Sequence, residues 1–173
     1  MKKFRQNLPP TNRSWWLELL FVPLIFILRL GFLPPNVSGV GNLGFFSRSF
    51  LPLVLVTLGF DLLVGGLYSG FIWTYFGFFG YWLLGRIAGN SLKKQFLFLP
   101  LASLLFFLFS NLGVWLNWYP INLNGFLTCY TLALPFYRNT LIGDLGFGLL
   151  VVAFKLIRLK FFKTNNLLIS TDY

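Results

Sequence analysis

Two aspartates, Asp61 and Asp144, stand inside long apolar runs, and two arginines, Arg29 and Arg138, stand near the ends of such runs. An ionisable group at membrane depth costs several kcal/mol unless it is paired or hydrated, so each of these is a candidate functional residue by default. Two charges of either sign can compensate one another, and the sequence leaves open which arginine meets which aspartate. Asp144 follows Arg138 by six residues, about 9 Å along a helix. Asn36, Asn111, Asn117 and Asn139 fall at depths similar to these charges. Asn36, Asp61, Asn111, Trp115, Arg138, Asn139 and Asp144 are therefore the candidate ligand-binding residues. The competing reading is an Arg–Asp pair that only fixes helix packing. Trp115, with Trp118 and Tyr119, suits an interfacial aromatic belt, and it could also stack on a ligand.

Other chemistry is poorly provided for. The chain has no histidine and one cysteine, Cys129. Triads with a histidine base are excluded, and haem or zinc sites lose their usual ligand. Cys129 lacks a base to activate it and reads as a packing residue. No cofactor and no metal are expected. Gly39, Gly41 and Gly44 spell a GxGxxG pattern, but no strand precedes it and no βαβ unit surrounds it. Close helix packing through small residues explains it better, so these glycines are expected at a helix contact or a partner-docking surface. With no P-loop, metal cluster or nucleophile–base pair, the chain is not expected to be an enzyme.

The elements that must position these residues are membrane helices. Only 10% of the residues are charged against 57% hydrophobic, with a mean hydropathy of +0.74. Soluble domains run near a quarter charged, so this chain could not cover a water-facing surface. The net charge of +10 would suggest nucleic acid in a soluble protein. Here the basic residues cluster between apolar runs, as in cytoplasmic loops beside anionic lipid, and no nucleic-acid partner is expected.

The expected fold is all-α, an integral membrane bundle of five to six transmembrane helices with one or two short or re-entrant ones. Residues 1–14 form a basic cytoplasmic tail, 15–163 a single transmembrane domain, and 164–173 a cytoplasmic C-terminal tail. Lys2, Lys3, Arg5 and Arg13 imitate the start of a signal peptide, but Pro9 and Pro10 interrupt it and no cleavage site follows. The first helix, from about Trp15 to Leu33, is expected to remain as an anchor. Pro34, Pro35 and Asn36 break the chain before a Gly-rich stretch, 37–46, too short for a straight crossing. Apolar runs follow over 50–67, 71–87 and 96–116. Gly125–Pro135 reads as a half-helix or re-entrant piece, and a last helix runs from after Arg138 to about Phe161. A cytoplasmic N-terminus places twelve of the 14 basic residues inside, leaving Arg29 and Arg138 toward the outside.

The second half carries an ordered string: Ser110-Asn111-Leu112-Gly113-Val114-Trp115, Tyr119-Pro120, Gly125, Cys129-Tyr130, Ala133-Leu134-Pro135-Phe136, Arg138-Asn139-Thr140-Leu141 and Gly143-Asp144. The first half adds Pro34-Pro35-Asn36, the Gly-rich stretch and Asp61. Over residues 15–160 the chain resembles a family of uncharacterised bacterial membrane proteins. That family is similar in layout to the S components of energy-coupling-factor transporters. The resemblance implies about six helices in a bacterial plasma membrane and an outward-facing pocket for a small solute. It also implies docking onto a transmembrane coupling subunit with cytoplasmic ATPases, with Gly39 to Gly44 as the matching surface. The alternative is an accessory subunit of a larger membrane complex, such as a photosynthetic or respiratory assembly.

Overall fold

Helix boundaries follow the prolines, glycines and capping side chains. In the computed structural model, residues 19, 21–31 and 33–170 are described, with side-chain surroundings through Ile157. Trp15, Trp16 and the basic N-terminal tail lie outside these residues, as do the side chains of Lys160 and Lys163. Helix α1 spans Phe21–Arg29. Pro34 and Pro35 hold the chain out of helix, and Asn36 turns it with a φ of 64°, a left-handed conformation that asparagine tolerates. Helix α2, Val40–Phe46, follows. Helix α3 covers Leu51–Phe60, with Pro52 in its first turn, where a missing N–H removes no helical bond. It widens into a π-turn over Asp61–Gly65.

Gly70, at φ 86°, starts helix α4, Phe71–Ala88. A Cβ at Gly113 would lie 2.9 Å from the Gly70 carbonyl oxygen and one at Gly70 would lie 2.9 Å from Asn117 Nδ2, so both positions lack room for a side chain. Helix α5 runs Leu92–Trp118, and the Ser91 hydroxyl accepts the Lys94 N–H at its start. Helix α6, Leu123–Ser170, begins where the Asn122 side chain accepts the Gly125 N–H at 2.8 Å.

α6 corrects the sequence reading in two places. The expected half-helix over 125–135 and the last helix are one element, because Pro135 does not end it. Proline frees only the carbonyl four residues back, here that of Thr131, and the helix continues on the bonds around it. The same helix also continues to Ser170, past the end expected at about Phe161.

The helices alternate in direction. α4 and α5 are antiparallel, with Gly77 against Phe106 and Gly70 against Gly113. α5 and α6 are antiparallel too: Phe107 meets Tyr137, Ser103 meets Asp144, and Leu99 meets Gly148. The short α2 is the centre of the bundle, with residues 40–45 all buried. Its Val40, Leu43 and Phe45 join Leu53, Val56, Phe78, Tyr81, Leu84 and Leu99 in one core.

Two of the described helices, α5 and α6, are long and apolar enough to cross a membrane. The five to six crossings expected would have to include shorter elements. α3 with its π-turn is about 22 Å long and α4 about 27 Å, against a hydrocarbon core of about 30 Å. Much of the surface of α5 and α6 is exposed and apolar. Only 28% and 17% of their most apolar stretches are buried. Phe96 is 80% exposed and Leu149 70%.

One end of the bundle is basic. Trp82 Nε1 donates to the Arg48 carbonyl at 3.4 Å, and Lys155 Nζ lies 4.3 Å from the centre of the Phe46 ring. Arg86 closes α4 at this end, and Lys93 and Lys94 open α5.

Candidate functional site

The opposite end opens into a cavity of about 640 Å³. Its mouth is formed by the irregular segment 33–38 with Arg29, Tyr68 and Val114, and its floor by Gly41, Tyr81 and Asp144. Phe78, Phe106, Phe107 and Tyr137 supply walls between the two levels.

Asp144 is 2% exposed, and an unpaired carboxylate at that depth must be met by donors. Three helices supply them. The Tyr81 hydroxyl of α4 donates to Oδ2. The Ser103 hydroxyl of α5 lies 2.6 Å from the same oxygen and 3.1 Å from the Leu99 carbonyl. Its single proton belongs on the shorter, charge-assisted contact. From α2, Asn42 Nδ2 donates to Asp144 Oδ1 at 3.2 Å and to the Asp144 backbone carbonyl at 3.1 Å. Both partners are acceptors, so the amide nitrogen must face them, leaving Asn42 Oδ1 buried without a partner. A carboxylate oxygen accepts about two hydrogen bonds, so Oδ1 retains one position.

Gly41 makes this arrangement possible. A Cβ there would lie 2.6 Å from the Tyr81 ring and 2.9 Å from Asp144 Oδ1. The expected packing role of the glycine run therefore has a specific content: it brings α2 onto Tyr81 and Asp144. Gly44 faces Leu53 and Gly39 faces the Phe147 ring. All three pack against side chains of the same chain.

Asp61 belongs to a second polar group. It is 5% exposed, accepts the Tyr75 hydroxyl at 2.9 Å, and lies 3.7 Å from Arg29 Nη2, the one ion pair among the described residues. The Arg29 guanidinium also sits 4.2 Å from the Phe60 ring centre, a cation–π distance. Arg29 reaches the cavity mouth, and its Nη1 has no partner among the described residues. Asp61 itself does not line the cavity.

The other predicted residues divide. Asn36 and Asn111 line the cavity, Asn111 donating to the Phe107 carbonyl at 2.8 Å. Asn139 donates to the Pro35 carbonyl at 3.1 Å and ties the mouth segment to α6. Trp115 lies away from the cavity, donating to the Pro120 carbonyl at 3.1 Å and packing edge-on to Phe126 in the α5–α6 turn. Arg138 is exposed on α6, outside the cavity, and makes no ion pair with Asp144. Cys129 is buried, its Sγ 3.6 Å from the Asn111 carbonyl.

Sequence reasoning missed Tyr81, Ser103 and Asn42, which surround Asp144. A lone hydroxyl in an apolar run, as at Ser103, is a usable signal. Tyr81 was one aromatic residue among many, and Asn42 was hidden in a glycine pattern.

The model of a family of unknown function, DUF6580, matches residues 9–166, and the chain belongs to that family. No curated protein and no solved structure matches it.

Proposed function

We propose that the chain is a multi-pass membrane protein that binds a small solute in the cavity above Asp144. In this reading it serves as the solute-binding subunit of an uptake system, in the manner of an S component. The observation that carries it is the cavity, open at one end and walled largely by aromatic rings, with a buried carboxylate at its floor, inside a bundle whose exterior is apolar. A volume of about 640 Å³ is the size of small-molecule sites generally. Exposed apolar faces on α5 and α6 suit lipid, where water-facing helices would be polar. α1, α3 and α4 complete the crossings as shorter elements. The basic end belongs in the cytoplasm of a bacterial-type plasma membrane, with the N-terminus inside, which points the cavity outward.

Arg138 supports a partner. It is exposed on α6 at the level where Tyr137 meets Phe107, midway along α5. A lipid-facing arginine there is costly, and a carboxylate on a neighbouring subunit would relieve it. The same residue favours the second reading, an accessory subunit of a larger membrane complex, if the cavity holds nothing.

The test is gentle-detergent purification from native membranes, with mass spectrometry of the proteins and small molecules recovered. The expected result is a stoichiometric solute, lost when Thr140→Trp fills the cavity, together with a coupling subunit and ATPases. Recovery of pigment or redox subunits without a solute would reject solute binding in favour of the accessory role.

A further inference from the structure

Resting on the solute-binding reading, we infer that the solute is an organic cation, held with its positive charge at Asp144 and its body against the aromatic walls. Two carboxylate side chains lie among the described residues. Asp61 has Arg29 as its counter-ion and does not line the cavity, which leaves Asp144 as the one carboxylate of the lining among the described residues. Asp144 is met by Tyr81, Ser103 and Asn42, which are all neutral. Hydrogen bonds from neutral donors stabilise the carboxylate and leave its charge uncompensated. In a site of low dielectric that charge favours a cation over a neutral or anionic solute. Asp144 lines the cavity, and its Oδ1, which accepts one hydrogen bond from Asn42, keeps one acceptor position.

The walls match the same chemistry. Phe106 lies 4.6 Å from Phe78 and 5.9 Å from Tyr81, centre to centre, and Phe107 lies 4.8 Å from Tyr137. Ring faces attract an ammonium group and replace part of the hydration it loses on burial. A small inorganic cation would fit the carboxylate but would leave most of the aromatic cavity unused. A protonated amine or quaternary nitrogen on an apolar body uses both.

The test uses the purified full chain in detergent. Small molecules released from it are identified by mass spectrometry. Its unfolding temperature is then read with 2-phenylethylamine, phenylacetate and 2-phenylethanol, which share one skeleton and differ in charge, and with sodium chloride alone. The released solute should carry a basic or quaternary nitrogen, and the amine alone should raise the unfolding temperature. Asp144→Asn should weaken the amine by about 10- to 100-fold, the value of one hydrogen bond to a charged group. If that variant does not fold, the charge of the released solute and the ranking of the three probes decide on the wild-type chain. A neutral or anionic solute, or stabilisation by phenylacetate, overturns the cation while solute binding stands. Stabilisation by sodium alone also overturns it, in favour of an inorganic ion site. No solute and no response to any probe overturns both readings.

Discussion

Arg29 and Asp61 sit 3.7 Å apart at the edge of the cavity, with the arginine side chain 24% exposed and the aspartate 7%. Removing one partner leaves the other short of compensation in a poorly hydrated place, whereas removing both leaves no stranded charge. Asp61→Asn or Arg29→Met alone should each cost about 1–3 kcal/mol, between the values for exposed and fully buried pairs. The double variant should lose less than the two losses added together, which a thermal-unfolding cycle in detergent measures. Additive losses would mean that the pair contributes no coupling. Asp144 differs because its partners are neutral and come from three separate helices, so its position depends on how those helices pack.

That packing turns on helix α2, seven residues long and buried among its neighbours. An isolated helix of this length is not stable in water, so its conformation is held by what surrounds it. Its glycines set the spacing. Gly41→Ala places a methyl group 2.6 Å from a fully buried tyrosine ring, and overpacking of this kind costs about 1–3 kcal/mol. Gly146→Ala in α6 meets nothing within 4 Å and removes a flexible helix residue, which should be neutral or stabilising by about 0.5–1 kcal/mol. Unfolding temperatures of the two variants should therefore move in opposite directions. Equal effects would show that α2 relaxes to admit the methyl group, and that Gly41 does not set the approach of Tyr81 to Asp144.

At the scale of the molecule, the basic end and the cavity end are chemically distinct, and a membrane would hold them on opposite sides. Cys129 is 2% exposed, so native thiol labelling should be low and a single added cysteine can report its own side. Lys94→Cys, at the start of α5, should react with an impermeant maleimide only after the cytoplasmic face is opened. Ile121→Cys, 72% exposed in the α5–α6 turn, should react on intact cells. Labelling of both from the same side would overturn the orientation, and release of the chain by alkaline carbonate would overturn membrane integration.

By itself the sequence determined the all-helical class, the apolar exterior and the segregation of the basic clusters. These follow from composition and from the placement of charge along the chain, which are local quantities. It also singled out Asp61 and Asp144, because a carboxylate in an apolar run stands out without any knowledge of its neighbours. Only the tertiary structure decided that Asp61 pairs with Arg29, that Arg138 stays outside, and that Asp144 takes its donors from Asn42, Tyr81 and Ser103. Those donors lie 102, 63 and 41 residues away along the chain, a separation that no periodicity encodes. Pro135 likewise looks like a helix end in sequence. Whether a helix stops at a proline or passes through it depends on the packing around the freed carbonyl, which exists only in the folded bundle.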